Sequence, residues 1–223
     1  MPDTLLPHIE IETSPSPTAT MIVLHGLGAD GEDFVPIVEQ LALPAHLRVR
    51  FIFPHAPVRK VTVNGGYAMR AWYDIASPDL AARPDVAGMQ QSQAHVEALL
   101  RSEEERGIPA ERVILAGFSQ GGALALYAGL RHAHRLAGII ALSTYLMAPE
   151  TLAREASEGN RATPVFMGHG TQDPIVSLAR GEAGRRALEG LGYAVEWHTY
   201  PMGHGVVGEE IGDISTFIRR CLS

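Results

Sequence analysis

The sequence predicts a doubly wound α/β domain, and three features point there. Apolar runs of strand length alternate with helical stretches, several of the runs are unbroken, and glycine-rich turns stand where strand hands over to helix. The strand candidates are residues 9–11, 20–24, 49–53, 113–116, 138–142, 164–167 and 195–200. Runs such as MIVL, VILA and GIIAL are those of strands buried on both faces of a parallel sheet. Between them lie helical stretches at 32–43, 88–106, 121–132, 178–191 and 206–222. In 88–106 the apolar Val96, Leu99 and Leu100 fall at helical spacing, and Glu103, Glu104 and Glu105 read as a solvated helix end. Residues 54–87 have no clear period, the mark of a functional loop or of small elements within it. Neither repeat nor linker composition divides the chain. Residues 1–223 are therefore expected to form one domain, with 1–18 as an N-terminal extension or edge strand and 58–87 as the region beside the substrate.

Composition removes several function classes. Lys+Arg 18 against Asp+Glu 25 leaves a net charge of −7, so the overall field repels nucleic acid, and no nucleic-acid partner is expected. No apolar run approaches the ~18 residues of a membrane-spanning helix. The N-terminus lacks the basic cap and apolar stretch of a secretory signal. The one cysteine, Cys221, has no internal partner, which suits a reducing compartment. A cytoplasmic protein is the expectation.

Two glycine motifs compete for the chemistry. Gly26-Leu-Gly28-Ala-Asp-Gly31 is a G-x-G-x-x-G between strand and helix, the context of a dinucleotide site. Such a site wants a carboxylate ~20 residues further on to hold a ribose hydroxyl. None stands between Glu39 and Asp74. The second motif, Gly117-Phe-Ser119-Gln-Gly121-Gly122, is a G-x-S-x-G in the strand, sharp turn and helix setting that it requires. The turn lifts the Ser119 hydroxyl to the carboxyl end of the sheet, at a helix N-terminus whose dipole favours developing negative charge. The plainer reading is a glycine-rich turn with an N-capping serine.

A serine hydroxyl needs a base within hydrogen-bond reach. Where the nucleophile rides such a turn, the chain order is Ser, then Asp or Glu, then His. Asp173 follows the strand PVFMGHG, and His204 sits between glycines in the loop before the last helix. Asp213 falls within that helix, and Asp74 precedes the serine. His198 lies inside a strand, while His25 and His169 shape loops at strand ends. Ser119, Asp173 and His204 are thus the catalytic candidates. The backbone N–H groups of Gln120 and of the loop His25-Gly-Leu27-Gly become the oxyanion donors, a second use for the first glycine motif. With no H-E-x-x-H, cysteine pair or clustered His and carboxylate, neither metal nor cofactor is expected.

The blocks HGLGADGEDF, PHAPV, GGYAMRAWYDI, GFSQGG, HGTQDP and GHG together resemble the bacterial carboxylesterase and acyl-protein thioesterase (phospholipase/carboxylesterase) family of α/β-hydrolases, from about Met21 onward. The resemblance implies the α/β-hydrolase fold, Ser119 as nucleophile, Asp173 as acid, His204 as base, and Leu27 and Gln120 as oxyanion donors. It implies a small-molecule ester substrate, no cofactor, and the homodimer seen in some members. Arg70 and Ser177 depart from the prolines common at those positions and bear on substrate preference. Met69, Trp72, Tyr73 and Leu146 are candidates for the acyl-pocket wall, or they simply pack the loop down. Three functions follow: a serine carboxylesterase for short- to medium-chain esters, placed first; an acyl-protein thioesterase or lysophospholipase for long acyl chains; and a non-catalytic binding protein on the same fold.

Overall fold

A computed structural model describes residues 5–77 and 84–223. Its strands are β1 (His8–Glu12), β2 (Ala19–Leu24), β3 (Val49–Pro54), β4 (Val58–Val61), β5 (Tyr67–Arg70), β6 (Val113–Phe118), β7 (Gly138–Leu142), β8 (Val165–Gly170) and β9 (Val195–Tyr200). Its helices are α1 (Ile37–Gln40), α2 (Val86–Glu105), α3 (Gln120–Arg131), α4 (Pro149–Glu155), α5 (Leu178–Gly190) and α6 (Gly208–Leu222).

Seven strands form one sheet in the order β1-β3-β2-β6-β7-β8-β9, parallel except for β1, which runs antiparallel along the edge of β3. Every residue of β2 is buried, because successive side chains enter opposite cores. Ile22 and Leu24 pack beneath α2 and α3, whereas Met21 and Val23 pack with α1 and α6. Helices therefore cover both faces, as the unbroken runs required.

The order of the strands positions the site. From β2 the chain moves outward to β3, then crosses back to β6 on the other side of β2. Loops leaving the carboxyl ends of β2 and β6 thus diverge and leave a crevice, where ligands of open α/β sheets bind.

Several local expectations change. The stretch 32–43 is not one helix. It splits into a 3-10 turn over Gly31–Phe34 and the single turn of α1, with Pro36, which has no N–H to donate, between them. The aperiodic stretch contains the β4–β5 hairpin, a separate two-stranded sheet, and a bridge between Ile75 and Pro84. Part of the region 58–87 expected beside the substrate, residues 78–83, lies outside the described residues, as do residues 1–4 of the N-terminal extension. Helix α4 was not anticipated.

Glu103 corrects the reading of a wet helix end: its side chain is wholly buried. It accepts from Arg50 Nη1 at 2.8 Å, from Arg106 Nη1 at 3.0 Å and from the Thr20 hydroxyl. A helical period marks the neighbours of a face, but it cannot show that a cation waits inside the sheet edge. Arg50 of β3 is buried in the same network.

Candidate active site

Ser119 stands between β6 and α3 with φ 54° and ψ −117°, a backbone region that non-glycine residues rarely adopt. The strain is held by neighbours on both sides. The Ser119 N–H donates to the Leu142 carbonyl at 2.8 Å, and its own carbonyl accepts from the Thr144 hydroxyl at 2.6 Å. The flanking glycines are required by close approach. A Cβ on Gly121 would lie 2.1 Å from the Leu24 carbonyl oxygen, and one on Gly117 would lie 2.2 Å from that of Gly121.

Asp173 and His204 meet across the ends of β8 and β9. His204 Nδ1 is 2.7 Å from Asp173 Oδ2, and the carboxylate side chain is fully buried. The other oxygen, Oδ1, accepts the N–H groups of Ile175 at 2.8 Å and Val176 at 2.9 Å. Those donors fix the aim of Oδ2. His169 anchors the same loop from beneath, its Nε2–H donating to the Val176 carbonyl at 2.8 Å. The Phe118 ring packs 4.7 Å from the His204 ring, centroid to centroid.

Ser119 and His204 line one cavity of about 540 Å³, together with Leu27, Gln120 and an apolar wall that includes Phe34, Ile75, Phe118 and Val176. Among the described residues no hydrogen bond joins the Ser119 hydroxyl to the imidazole. Such bonds commonly tighten only around substrate. Within the same set, neither the Leu27 N–H nor the Gln120 N–H has a protein acceptor, and both residues line the cavity. Gln120 opens α3, which adds the positive end of the helix dipole.

The loop bearing Leu27 is shaped by His25. Burial holds this imidazole below the ordinary histidine value. Its Nε2 accepts the Ala56 N–H at 3.0 Å, so Nδ1 carries the proton and donates to the Gly26 carbonyl at 2.7 Å.

The pattern of the phospholipase/carboxylesterase family matches residues 7–222. The chain belongs to this family. It is 42% identical over 214 residues to acyl-protein thioesterase 1 of Gibberella zeae, covering 92% of this chain and 91% of that one. It is 43% identical over 210 residues to the protein of the same name from Neurospora crassa, covering 90% and 86%. The crystal structure of Zea mays acyl-protein thioesterase 2 superposes with a TM-score of 0.87 at 31% identity, covering 98% of this chain and all of that one. Membership makes the protein a serine hydrolase of the α/β-hydrolase fold.

None of the four pocket-wall candidates lines the cavity that holds Ser119 and His204. Trp72 and Tyr73 are wholly buried. Met69 sits on the β4–β5 hairpin, near Gly28, and is also absent from the wall. Leu146 lines a second cavity, of about 450 Å³, that shares only Tyr145 with the first. Among the wall residues that sequence reasoning missed are Phe34, Ile75, Tyr145, Ile175 and Val176. For Ile175 a signal existed, since it directly follows Asp173-Pro174; its side chain is 66% exposed at the cavity. Arg70 uses its guanidinium on the Ala56 carbonyl at 3.0 Å, and Ser177 is the N-cap of α5. Cys221 is half-buried, and burial pushes its thiol up to about 11, which leaves little thiolate for chemistry.

Proposed function

We propose that the protein is an acyl-protein thioesterase-type hydrolase that releases long acyl chains from thioesters, and from oxygen esters, through an acyl-Ser119 intermediate. The observation that carries this reading is the apolar cavity of about 540 Å³ with Ser119 and His204 in its wall. Each methylene buried there contributes ~0.8 kcal/mol, so a cavity of this size rewards chain length. The names of the fungal and maize relatives support the same order of preference.

In the first step His204 takes the Ser119 proton as Oγ bonds to the carbonyl carbon. The carbonyl π pair becomes an oxyanion held by the Leu27 and Gln120 N–H groups. Losing one such donor typically costs ~10²–10³ in turnover. The oxyanion then collapses and expels the thiolate or alkoxide, which receives the proton from His204. Water repeats the sequence on the acyl-enzyme and frees the acid. Asp173 holds the imidazole tautomer and stabilises the imidazolium.

The test is a series of thioesters and oxygen esters from about four to sixteen carbons, read as kcat/KM. The proposal expects kcat/KM to climb with chain length and thioesters to equal or exceed esters. A maximum at short oxygen esters would restore the short-chain carboxylesterase reading. Ser119→Ala should lower every value by at least ~10³ without lowering Tm.

A further inference from the structure

The oxyanion donors Leu27 and Gln120 come from loops far apart in sequence, yet both must point at one oxygen. The sheet fixes their separation only up to the pairing of Leu24 with Gly117. Beyond it, both loops are tied to a third segment, residues 70–73, which begins at the last residue of the β4–β5 hairpin.

On one side, the Gln120 side chain is 1% exposed and spent on two adjacent main-chain groups. Its Oε1 accepts the Trp72 N–H at 2.8 Å, and its Nε2 donates to the Tyr73 carbonyl at 2.8 Å. On the other side, the Trp72 indole N–H donates to the His25 carbonyl at 2.8 Å. The Arg70 carbonyl accepts the Gly28 N–H at 2.9 Å. Leu27 is therefore pinned at the residues around it, and Gln120 through its own side chain. The Ser92 hydroxyl holds the Trp72 carbonyl from α2. The bonds of Gln120, Trp72 and Ser92 lie out of water, where satisfied hydrogen bonds rigidify and a broken one leaves a buried polar group without a partner.

We propose that residues 70–73, gripped by the Gln120 side chain and the Trp72 indole, are a brace that sets the spacing and aim of the two oxyanion donors. The Gln120 side chain and Trp72 are then positioning residues for the transition state. This rests on the reading of the Leu27 and Gln120 N–H groups as the oxyanion hole.

Gln120→Met keeps the backbone donor and the side-chain length but removes both grips; Trp72→Phe keeps an aromatic ring and removes the indole N–H. Each should lower kcat by ~10–10²-fold, the cost of a small misplacement of reacting groups, with KM within about twofold. A long-chain trifluoromethyl ketone isolates the effect. Ser119 Oγ bonds to its carbonyl carbon, the Oγ proton passes to His204, and the π pair becomes an alkoxide with no leaving group. Its affinity should fall by the same factor as kcat, while the matching secondary alcohol, which forms no alkoxide, should bind within about twofold of wild type.

Unchanged kcat in both variants, or equal weakening of ketone and alcohol, would overturn the brace. Should Gln120→Met fail to fold, Trp72→Phe and Gln120→Glu, which keeps the acceptor for the Trp72 N–H, carry the same comparison. Turnover by Ser119→Ala would instead overturn the underlying reading of the site. A silent Ser119→Ala beside brace variants that match wild type would remove the brace alone.

Discussion

At Ser119 the demands of the proposed chemistry and of stability pull apart. Its φ of 54° places a residue with a Cβ where glycine is favoured, at a cost of about 1–3 kcal/mol. Replacement by alanine removes the hydroxyl and keeps the strain. Ser119→Gly removes both, and it should stabilise the fold by roughly 1 kcal/mol while abolishing turnover, which denaturant unfolding beside an ester assay would check. A destabilised glycine variant would mean that the hydroxyl supports the fold. At this scale part of the sequence was legible: glycines at 117 and 121 announce close backbone approach, whereas the glycines around His204 do not announce the Phe118 ring packed against it. Illegible were the cavity-wall residues. Whether Trp72 or Ile75 faces the substrate depends on how the loop is sewn down, here by hydrogen bonds to His25 and Gln120, and no local period encodes that.

Among the elements, α2 departs most from its sequence reading. Glu103, Glu104 and Glu105 are chemically alike, but Glu103 alone turns inward, onto Arg50 of β3 and Thr20 of β2. Arg50 also meets Glu12 at 3.0 Å, so one buried guanidinium on β3 ties α2 and the edge strand β1 together. Removing Glu103 leaves Arg50 only its half-exposed partners Glu10 and Glu12 and strips the buried Thr20 hydroxyl of its acceptor. Glu103→Ala should therefore cost about 1–3 kcal/mol of unfolding free energy. Glu104→Ala, on the exposed side, should stay within about 0.5 kcal/mol. Equal small effects in equilibrium unfolding would mean that the network is solvated after all. The 32–43 stretch teaches a related lesson. Its apolar spacing suits a helix, yet Pro36 divides it, and just before it Gly31 is held against the Phe53 carbonyl. A Cβ at Gly31 would lie 2.5 Å from that oxygen.

For the whole molecule, pH enters through Glu210 in the first turn of α6. Its side chain is buried against Gly168 of β8, and both carboxyl oxygens lack a hydrogen-bond partner among the described residues. Burial first, and the charge of Asp213 after it, push the carboxyl from 4.5 up to about 8. Between those two values the folded chain keeps a proton that the unfolded chain has released, so stability falls as pH rises through that window. Glu210→Gln carries no titrating proton. Compared at about pH 5 and about pH 9, it should gain stability relative to wild type at the higher pH, as read from denaturant midpoints. A constant difference across pH would show that Glu210 ionises freely in the fold. By itself the sequence determined the class of the fold, the turn that carries Ser119 and the loops that carry Asp173 and His204. Burial periodicity and turn chemistry are local, and the chain writes them in residue types. Only the tertiary structure decided which side chains line the cavity, that Glu103 and Glu210 are sealed from water, and how residues 70–73 join two distant loops. Those depend on which surfaces the crossing strands bring face to face, a property of packing over the whole sheet.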